Sequence, residues 1–317
     1  MRSFPALCVA AVCGLAPAPR AHAVEGALGH TITGQQITSF AGIIPPDPGF
    51  IWQLGYIHYS GDIGGGRETP IGGVRALNLS ATADIVAPTA VYVWNTPKGR
   101  WNFASVLAVP FISLSADADS TIGPFATDLH DSDSGLFDVT FVPVIASYHV
   151  SEMEHWSLAL YVYAPTGEYT AGKLANPGLN IWTFSPTVGY THLYLKGGIE
   201  VSVTGAVDFN GENPATDYDG GDVFRLEALS MLRTPKGWGV GIVAGWLDQI
   251  TGDEAPNLPA SLNGFRGHSL AAGPAFTYTT KFAGGTHFDV NFRWMFEFDT
   301  QDRFNGDGPQ LNFALHH

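Results

Sequence analysis

Apolar and polar residues alternate with a period of two along most of this chain. In 286-THFDVNFRWMFEFDT-300, Phe288, Val290, Phe292, Trp294, Phe296 and Phe298 fall on one side. His287, Asp289, Asn291, Arg293, Met295, Glu297 and Asp299 fall on the other. A strand sorts residues this way, because successive side chains point to opposite faces. The alternation recurs in 199-IEVSVTGAVDF-209, 77-LNLSATADI-85, 182-WTFSPTVGYTH-192 and 238-WGVGIVAGW-246. It predicts about twelve strands: 49–60, 74–94, 100–114, 136–150, 154–165, 180–193, 196–210, 221–234, 237–250, 267–281, 285–298 and 308–317. No helix pattern of useful length follows residue 24.

The connections decide what kind of sheet this is. Alternate ones are tight and mostly basic: 95-NTPKG-99, 151-SEM-153, 194-YLKG-197, 233-RTPKG-237 and 282-FAGG-285. The others are long, acidic and Gly-rich: 61–73, 115–135, 166–179, 211–220, 251–266 and 299–307. That short–long alternation belongs to transmembrane barrels, whose turns are short on one side and long on the other. The expected fold is therefore all-β: an antiparallel, up-and-down transmembrane β-barrel. An even strand number puts both chain ends on the short-turn, periplasmic side. Trp52, Tyr56, Trp101, Trp156, Trp182, Tyr190, Trp238, Trp246 and Trp294 fall near strand ends on apolar faces, where amphipathic rings meet a membrane boundary. Pro110, Pro143, Pro186 and Pro274 interrupt strand-like runs. Proline cannot donate to a ladder, so each marks a candidate lateral gap in the wall.

The N-terminus changes the picture of location. Arg2, the apolar run 6-ALCVAAVCGLA-16 and 21-AHA-23 fit a secretory leader over residues 1–23. Both cysteines, Cys8 and Cys13, lie inside it, so no disulfide or thiolate metal site is expected in the mature chain. A cysteine-free exported chain of this length suits a Gram-negative envelope. The mature part has no apolar run of about 18 residues, so it carries no transmembrane helix. Barrel strands escape that test because they alternate. The full chain has 15 basic and 29 acidic residues. Without Arg2 and Arg20 the mature charge is −16, which argues against a nucleic-acid partner.

Residues 24–48 carry Pro45, Pro46 and Pro48 and no strand pattern. Their apolar content (Ile32, Ile37, Phe40, Ile43, Ile44) predicts a plug folded into the periplasmic mouth, ahead of a barrel over 49–317. Asp84, Glu200, Asp208, Arg225, Glu227, His287, Asp289, Arg293 and Glu297 sit opposite apolar residues on their strands. Facing lipid, an Arg or Lys would cost about 2–4 kcal/mol near mid-membrane. These nine are therefore expected to line the lumen, either guiding a solute or locking the barrel shut.

Catalytic signatures are missing: there is no G-x-S-x-G, H-E-x-x-H or P-loop. His268 and Ser269 are adjacent on a strand and point to opposite faces, so they cannot form a pair. The fragment 131-DSDSG-135 lacks the remaining ligands of a calcium loop. No enzyme activity, cofactor or metal is expected. The acidic loops (Asp117, Asp119, Asp128, Asp131, Asp133, Asp217, Asp219, Asp253, Glu254, Asp302, Asp307) read as solubilising charge, with cation sharing at lipopolysaccharide phosphates as the alternative.

Several stretches then resemble the outer-membrane barrel family of the meta pathway of phenol degradation. They are 25-EGALGH-30, 45-PPDPGF-50, 135-GLFDV-139, 164-APTGEY-169, 176-NPGLNIWTFSPTVGYTH-192, 208-DFNGENPATDY-218, 248-DQITGD-253 and 273-GP-274. Pro165, Gly167, Tyr169, Asn180, Trp182, Asn213, Thr216, Tyr218 and Gln249 are the family-motif positions. The resemblance implies a monomeric channel in contact with outer-membrane lipid and lipopolysaccharide, admitting small hydrophobic or aromatic solutes. The alternative is a closed structural barrel that binds lipopolysaccharide or a partner and transports nothing. One departure is the end, 311-LNFALHH-317, where His317 stands at the outward position that outer-membrane barrels usually fill with an aromatic.

Overall fold

The computed structural model describes residues 25, 29–64, 68–71, 74–97, 99–122, 125–194, 198–255, 258 and 264–316. The leader over 1–23 and the outward position of His317 lie outside them. The strands are β1 (Gly49–Asp62), β2 (Glu68–Ile71), β3 (Val74–Val93), β4 (Trp101–Ala108), β5 (Phe111–Ile122), β6 (Phe125–Leu136), β7 (Val139–His149), β8 (Glu154–Ala164), β9 (Thr183–Tyr194), β10 (Ile199–Asn210), β11 (Val223–Arg233), β12 (Trp238–Gln249), β13 (His268–Lys281), β14 (His287–Gln301) and β15 (Asn305–His316). All ladders are antiparallel, and β1 pairs with both β3 and β15, which closes the wall. Closure leaves no sheet edge around the barrel.

The wall has twelve staves, because three of them are built from two strands each; in the first, β1 and β2 pair in turn with β3. β4 and β5 both pair with β3 and are halves of one stave, broken at Val109–Pro110. β6 and β7 continue each other in the next stave. Residues 115–135 are expected as a long loop, but 115–122 and 125–135 instead form most of the β5–β6 ladder, with Asp119 opposite Asp128 and Ser113 opposite Ser134. The expected loop over 299–307 shrinks to Asp302, Arg303 and Phe304, since β14 and β15 both run further. In both places polar residues hide strand: once a stave rises past the membrane its outer face is wet, and apolar alternation no longer marks it.

Aromatic rings form two tiers on the outside. Near the short turns Trp101 meets Tyr148, Trp156 meets Tyr190 and Trp238 meets Tyr278. Near the long loops Trp182 meets Phe184, Phe224 meets Trp246 and Trp294 meets Phe296. On β14 the outward set runs from Phe288 to Phe298, ten residues. That is about 34 Å of strand, or about 25 Å of height at a tilt of about 40°, the height of an outer-membrane apolar band.

At the long-loop end the two faces exchange character. Leu79, Ala81 and Ala83 of β3 point inward and pack with Ile112, Leu114 and Ala116 of β5, and with Leu174, Ala175, Phe265 and Phe304 from the loops. This interior core caps the barrel. The alternation of 77–85 puts Asp84 in the lumen, but the structure puts it outside, hydrogen-bonded to Tyr56 (2.6 Å) and His58 (2.9 Å). An alternating strand shows which residues share a face. It does not show which face is in, once the outside changes from lipid to water.

Candidate functional site

The interior of the barrel is occupied by the chain's own N-terminal segment. Its path follows from its partners. Glu25 accepts hydrogen bonds from Tyr169, Asn213 and Thr216, all in long loops. His30 reaches Asp138 and Thr183 (2.9 and 3.0 Å) and stacks on Tyr163. Thr31 donates to Asp208, and Thr33 to Ser269. Further down, the Gln36 amide donates to Glu227 and the Phe40 amide to Glu200. At the short-turn end, Ser157 donates to the Ala41 carbonyl, Ser147 to that of Gly42 and Asn102 to that of Ile44. Partners on staves all round the wall place the segment inside. It runs the full height from long loops to short turns before β1 begins.

The segment fills more than one mouth of the barrel: Glu25 lies at the long-loop end, whereas His316 pairs with Ile51 at the short-turn end. Ile37 buries itself among Leu229, Met231, Val243 and Met295, and Ile44 packs on Val91, Val93 and Ala104. The backbone approaches β12 closely, because a Cβ on Gly245 would stand 2.4 Å from the Gly34 nitrogen. Phe40 is held at φ 58°, a left-handed conformation that non-glycine residues rarely adopt. The Glu200 carboxylate and the Arg233 guanidinium, 4.3 Å from its ring centre, hold it there.

The charged lumen residues serve this packing. Arg225 makes paired bonds to Asp208 (2.8 and 3.0 Å), also bonds Ser185, and sits 3.9 Å from Glu227. Arg233 binds Glu200 at 2.5 Å. Arg293 donates to the Gly34 carbonyl. Glu297 accepts from Tyr59, Ser269 and the Gly306 amide. Lower down, Asp289 accepts from Thr279 and lies 3.5 Å from His316, whose ring stacks on His287. Eight of the nine residues thus point inward, and Asp84 is the exception described above.

The prolines coincide with breaks in the ladders. Between β7 and β8 pairing stops at Phe141–Val162 and resumes at Ile145–Ala159, so Val142, Pro143 and Val144 face Tyr161 and Leu160 unpaired. Leu160 pairs on its other side with Pro186, and Pro186 faces a second break, between Ala206–Thr187 and Phe209–Phe184. Pro143, Leu160 and Pro186 therefore form one row of weak wall, with Val144 and Leu160 exposed outward. Pro274 opens a third break against Trp294 and Met295, backed by the Ile37 cluster. Pro110 sits at the β4–β5 break beside Pro88, whose carbonyl accepts from Val109. Pro88 and Pro309 are wall prolines missed above. Pro309 faces a break between Ile57–Gln310 and Ser60–Asp307.

The family-motif residues gather in the long loops. Asn180 donates to Asn213, which with Tyr169 and Thr216 holds Glu25. Gly167 packs so tightly on Gly178 that a Cβ would lie 2.5 Å from its Cα. Tyr218 and Gln249 both donate to Asp253, whose carboxyl burial pushes up to about 7. Trp182 stands apart on the outer face, and Pro165 makes none of these bonds. The acids of 131-DSDSG-135 are used internally: Asp131 accepts from the Leu174 and Ala175 amides, and Asp133 pairs with Lys173. Among the described residues no cluster of three metal-ligating side chains occurs.

A family model described as "Putative MetA-pathway of phenol degradation" matches residues 61–313. No curated protein sequence matches the chain. Among solved structures, an outer membrane channel from Pseudomonas putida F1 is similar at 13% identity, with 87% of this chain and 98% of that one covered and a TM-score of 0.70. That likeness shows the fold. A FadL homologue of Pseudomonas aeruginosa, 10% identical, covers 87% of this chain and 94% of its own at a TM-score of 0.44.

Proposed function

The chain belongs to the MetA-pathway phenol-degradation family, and on that premise we propose that it is an outer-membrane channel that admits small hydrophobic, including aromatic, molecules and releases them sideways through its wall. One observation carries the reading: the axis is filled while the wall is thinned. Segment 29–48 hydrogen-bonds to the wall along its height, and along the row Pro143–Leu160–Pro186 the ladders are interrupted at the β7–β8 and β9–β10 seams. A greasy solute gains by leaving water for apolar surroundings, at about 25 cal/mol per Å². Each absent backbone bond lowers the net cost of parting staves by about 0.5–1.5 kcal/mol. A sideways step into the bilayer suits such a solute better than a continuous aqueous path. The P. putida channel of the same fold is consistent with a transport role.

The test replaces Pro143 and Pro186 with valine, which can donate to the ladder, and uses the same change at Pro274 as a control. Pro274 lies over the Ile37 cluster, which backs its gap. Toluene uptake by a strain relying on this protein is expected to fall for the Pro143→Val/Pro186→Val pair and to stay level for the control. Equal uptake in all three removes the lateral route. The filled axis favours a second reading, a closed barrel that binds lipopolysaccharide or a partner and moves nothing. Under that reading a deletion strain takes up toluene as fast as its parent.

A further inference from the structure

We propose that Arg303 and the cavity it lines bind small carboxylates at the long-loop mouth of the barrel. Arg303 lies in the turn between β14 and β15. Among the described residues no hydrogen bond or ion pair reaches its guanidinium, whereas Arg225 and Arg233 are both paired. A guanidinium offers five donors in a planar fork that matches a carboxylate. Arg303 is half-buried, which leaves those donors open toward the cavity it lines, and desolvation lowers its pKa.

The acids nearest Arg303 do not answer it, because each is engaged elsewhere. Glu297 takes bonds from Tyr59, Ser269 and the Gly306 amide. Asp208 is committed to Arg225 and to the Ser185 and Thr31 hydroxyls. Asp253 takes bonds from Tyr218 and Gln249. The stem of Arg303 is fixed as well: a Cβ on Gly267 would stand 2.4 Å from its Cγ. The side chain is therefore held in place with its charged end unmatched.

Beside it lies a cavity of about 300 Å³, lined also by Asp62, Thr300, Gln301, Asp302 and Asn305. That volume is at the small end of ligand pockets. Thr300, Gln301 and Asn305 supply neutral polar groups next to the cation, and Asp62 can accept from a hydroxyl on the same solute. The chemistry fits a small carboxylate with a compact body of about the size of benzoate. The site stands on its own geometry, and only its role as a first stop for a travelling solute rests on the channel reading.

The test titrates sodium benzoate, with benzyl alcohol as the uncharged control, into purified full-length mature protein in detergent micelles. Ligand-observed saturation-transfer NMR reads binding, and heat-modifiable gel migration checks folding. Saturable benzoate binding is expected, weakened at least tenfold in Arg303→Gln, with the benzyl alcohol signal unchanged. Gln301→Glu leaves the arginine in place and adds a repelling charge, so it is also expected to weaken benzoate and serves if Arg303→Gln misfolds. Benzoate binding that survives both substitutions, or none to the parent protein, overturns the proposal. Toluene uptake is measured separately, so failure of this site and failure of the channel reading are told apart.

Discussion

Arg225 is the lumen residue whose removal should be felt most. It is 5% exposed and sits between Asp208 at 4% and Glu227 at 1%. Arg225→Met keeps a stem of similar length and deletes the charge. Asp208 then retains only the hydroxyls of Ser185 and Thr31, and Glu227 keeps the Gln36 amide. Leaving a buried charge without its partner costs roughly 3–5 kcal/mol. Adding Asp208→Asn removes one orphaned charge and should recover about 1.5 kcal/mol or more, since the amide needs far less solvation than the carboxylate. Urea unfolding from micelles gives the numbers, followed through the chain's eight tryptophans, which lose their membrane-edge environment as staves leave the barrel. A loss below about 1 kcal/mol for Arg225→Met, or no recovery in the double variant, would refute the view that this ion cluster locks the interior.

Two further outcomes follow from the same structure. Asp253 has its carboxyl raised to about 7 by burial, so the folded state favours its protonated form. The stability it contributes is present at low pH and lost as pH rises from about 4 to about 7, by up to about 4 kcal/mol. In Asp253→Asn that component disappears, so the melting-temperature difference between variant and parent should widen in the variant's favour from pH 5 to pH 8. A constant difference would show that the carboxyl does not titrate there. Gly245→Val places a side chain where the Gly34 nitrogen stands, 2.4 Å from the Cβ position. It should cost about 1–3 kcal/mol by overpacking and raise single-channel conductance as the segment is pushed from β12, and unchanged conductance at unchanged stability would contradict the close contact.

The barrel was legible because lipid and lumen impose opposite demands on alternate residues. Phe288 to Phe298 and their charged neighbours on β14 show this directly, and the short and long connections gave the topology. Legibility failed where the outside stops being lipid. There Asp84 faces water, Leu79 faces a core, and the β5–β6 ladder looks like a polar loop. The threaded segment was legible only as apolar chain without strand pattern. Nothing local in Glu25 or His30 announces their partners, because Tyr169, Asn213 and Asp138 are brought to them by the closed wall. The motif residues of the long loops became intelligible once Glu25 was seen among them. Pro88 and Pro309 carried the same proline signal as Pro143 and went unmarked, one within a long strand and one near a strand's start.

The central claim is that solute leaves through the weak row between β7 and β8. Both cysteines of the chain, Cys8 and Cys13, lie within residues 1–23, so replacing them with serine leaves the introduced thiols to be joined without competition. Val144→Cys and Leu160→Cys place two outward thiols on either side of the gap. A short reversible crosslinker would then suture the staves. Uptake of toluene by cells carrying this pair should fall on crosslinking and return on reduction, while an identical pair on the fully laddered β11–β12 seam, Leu226→Cys with Trp246→Cys, should change nothing. Uptake that continues undiminished through a sutured gap would contradict the account.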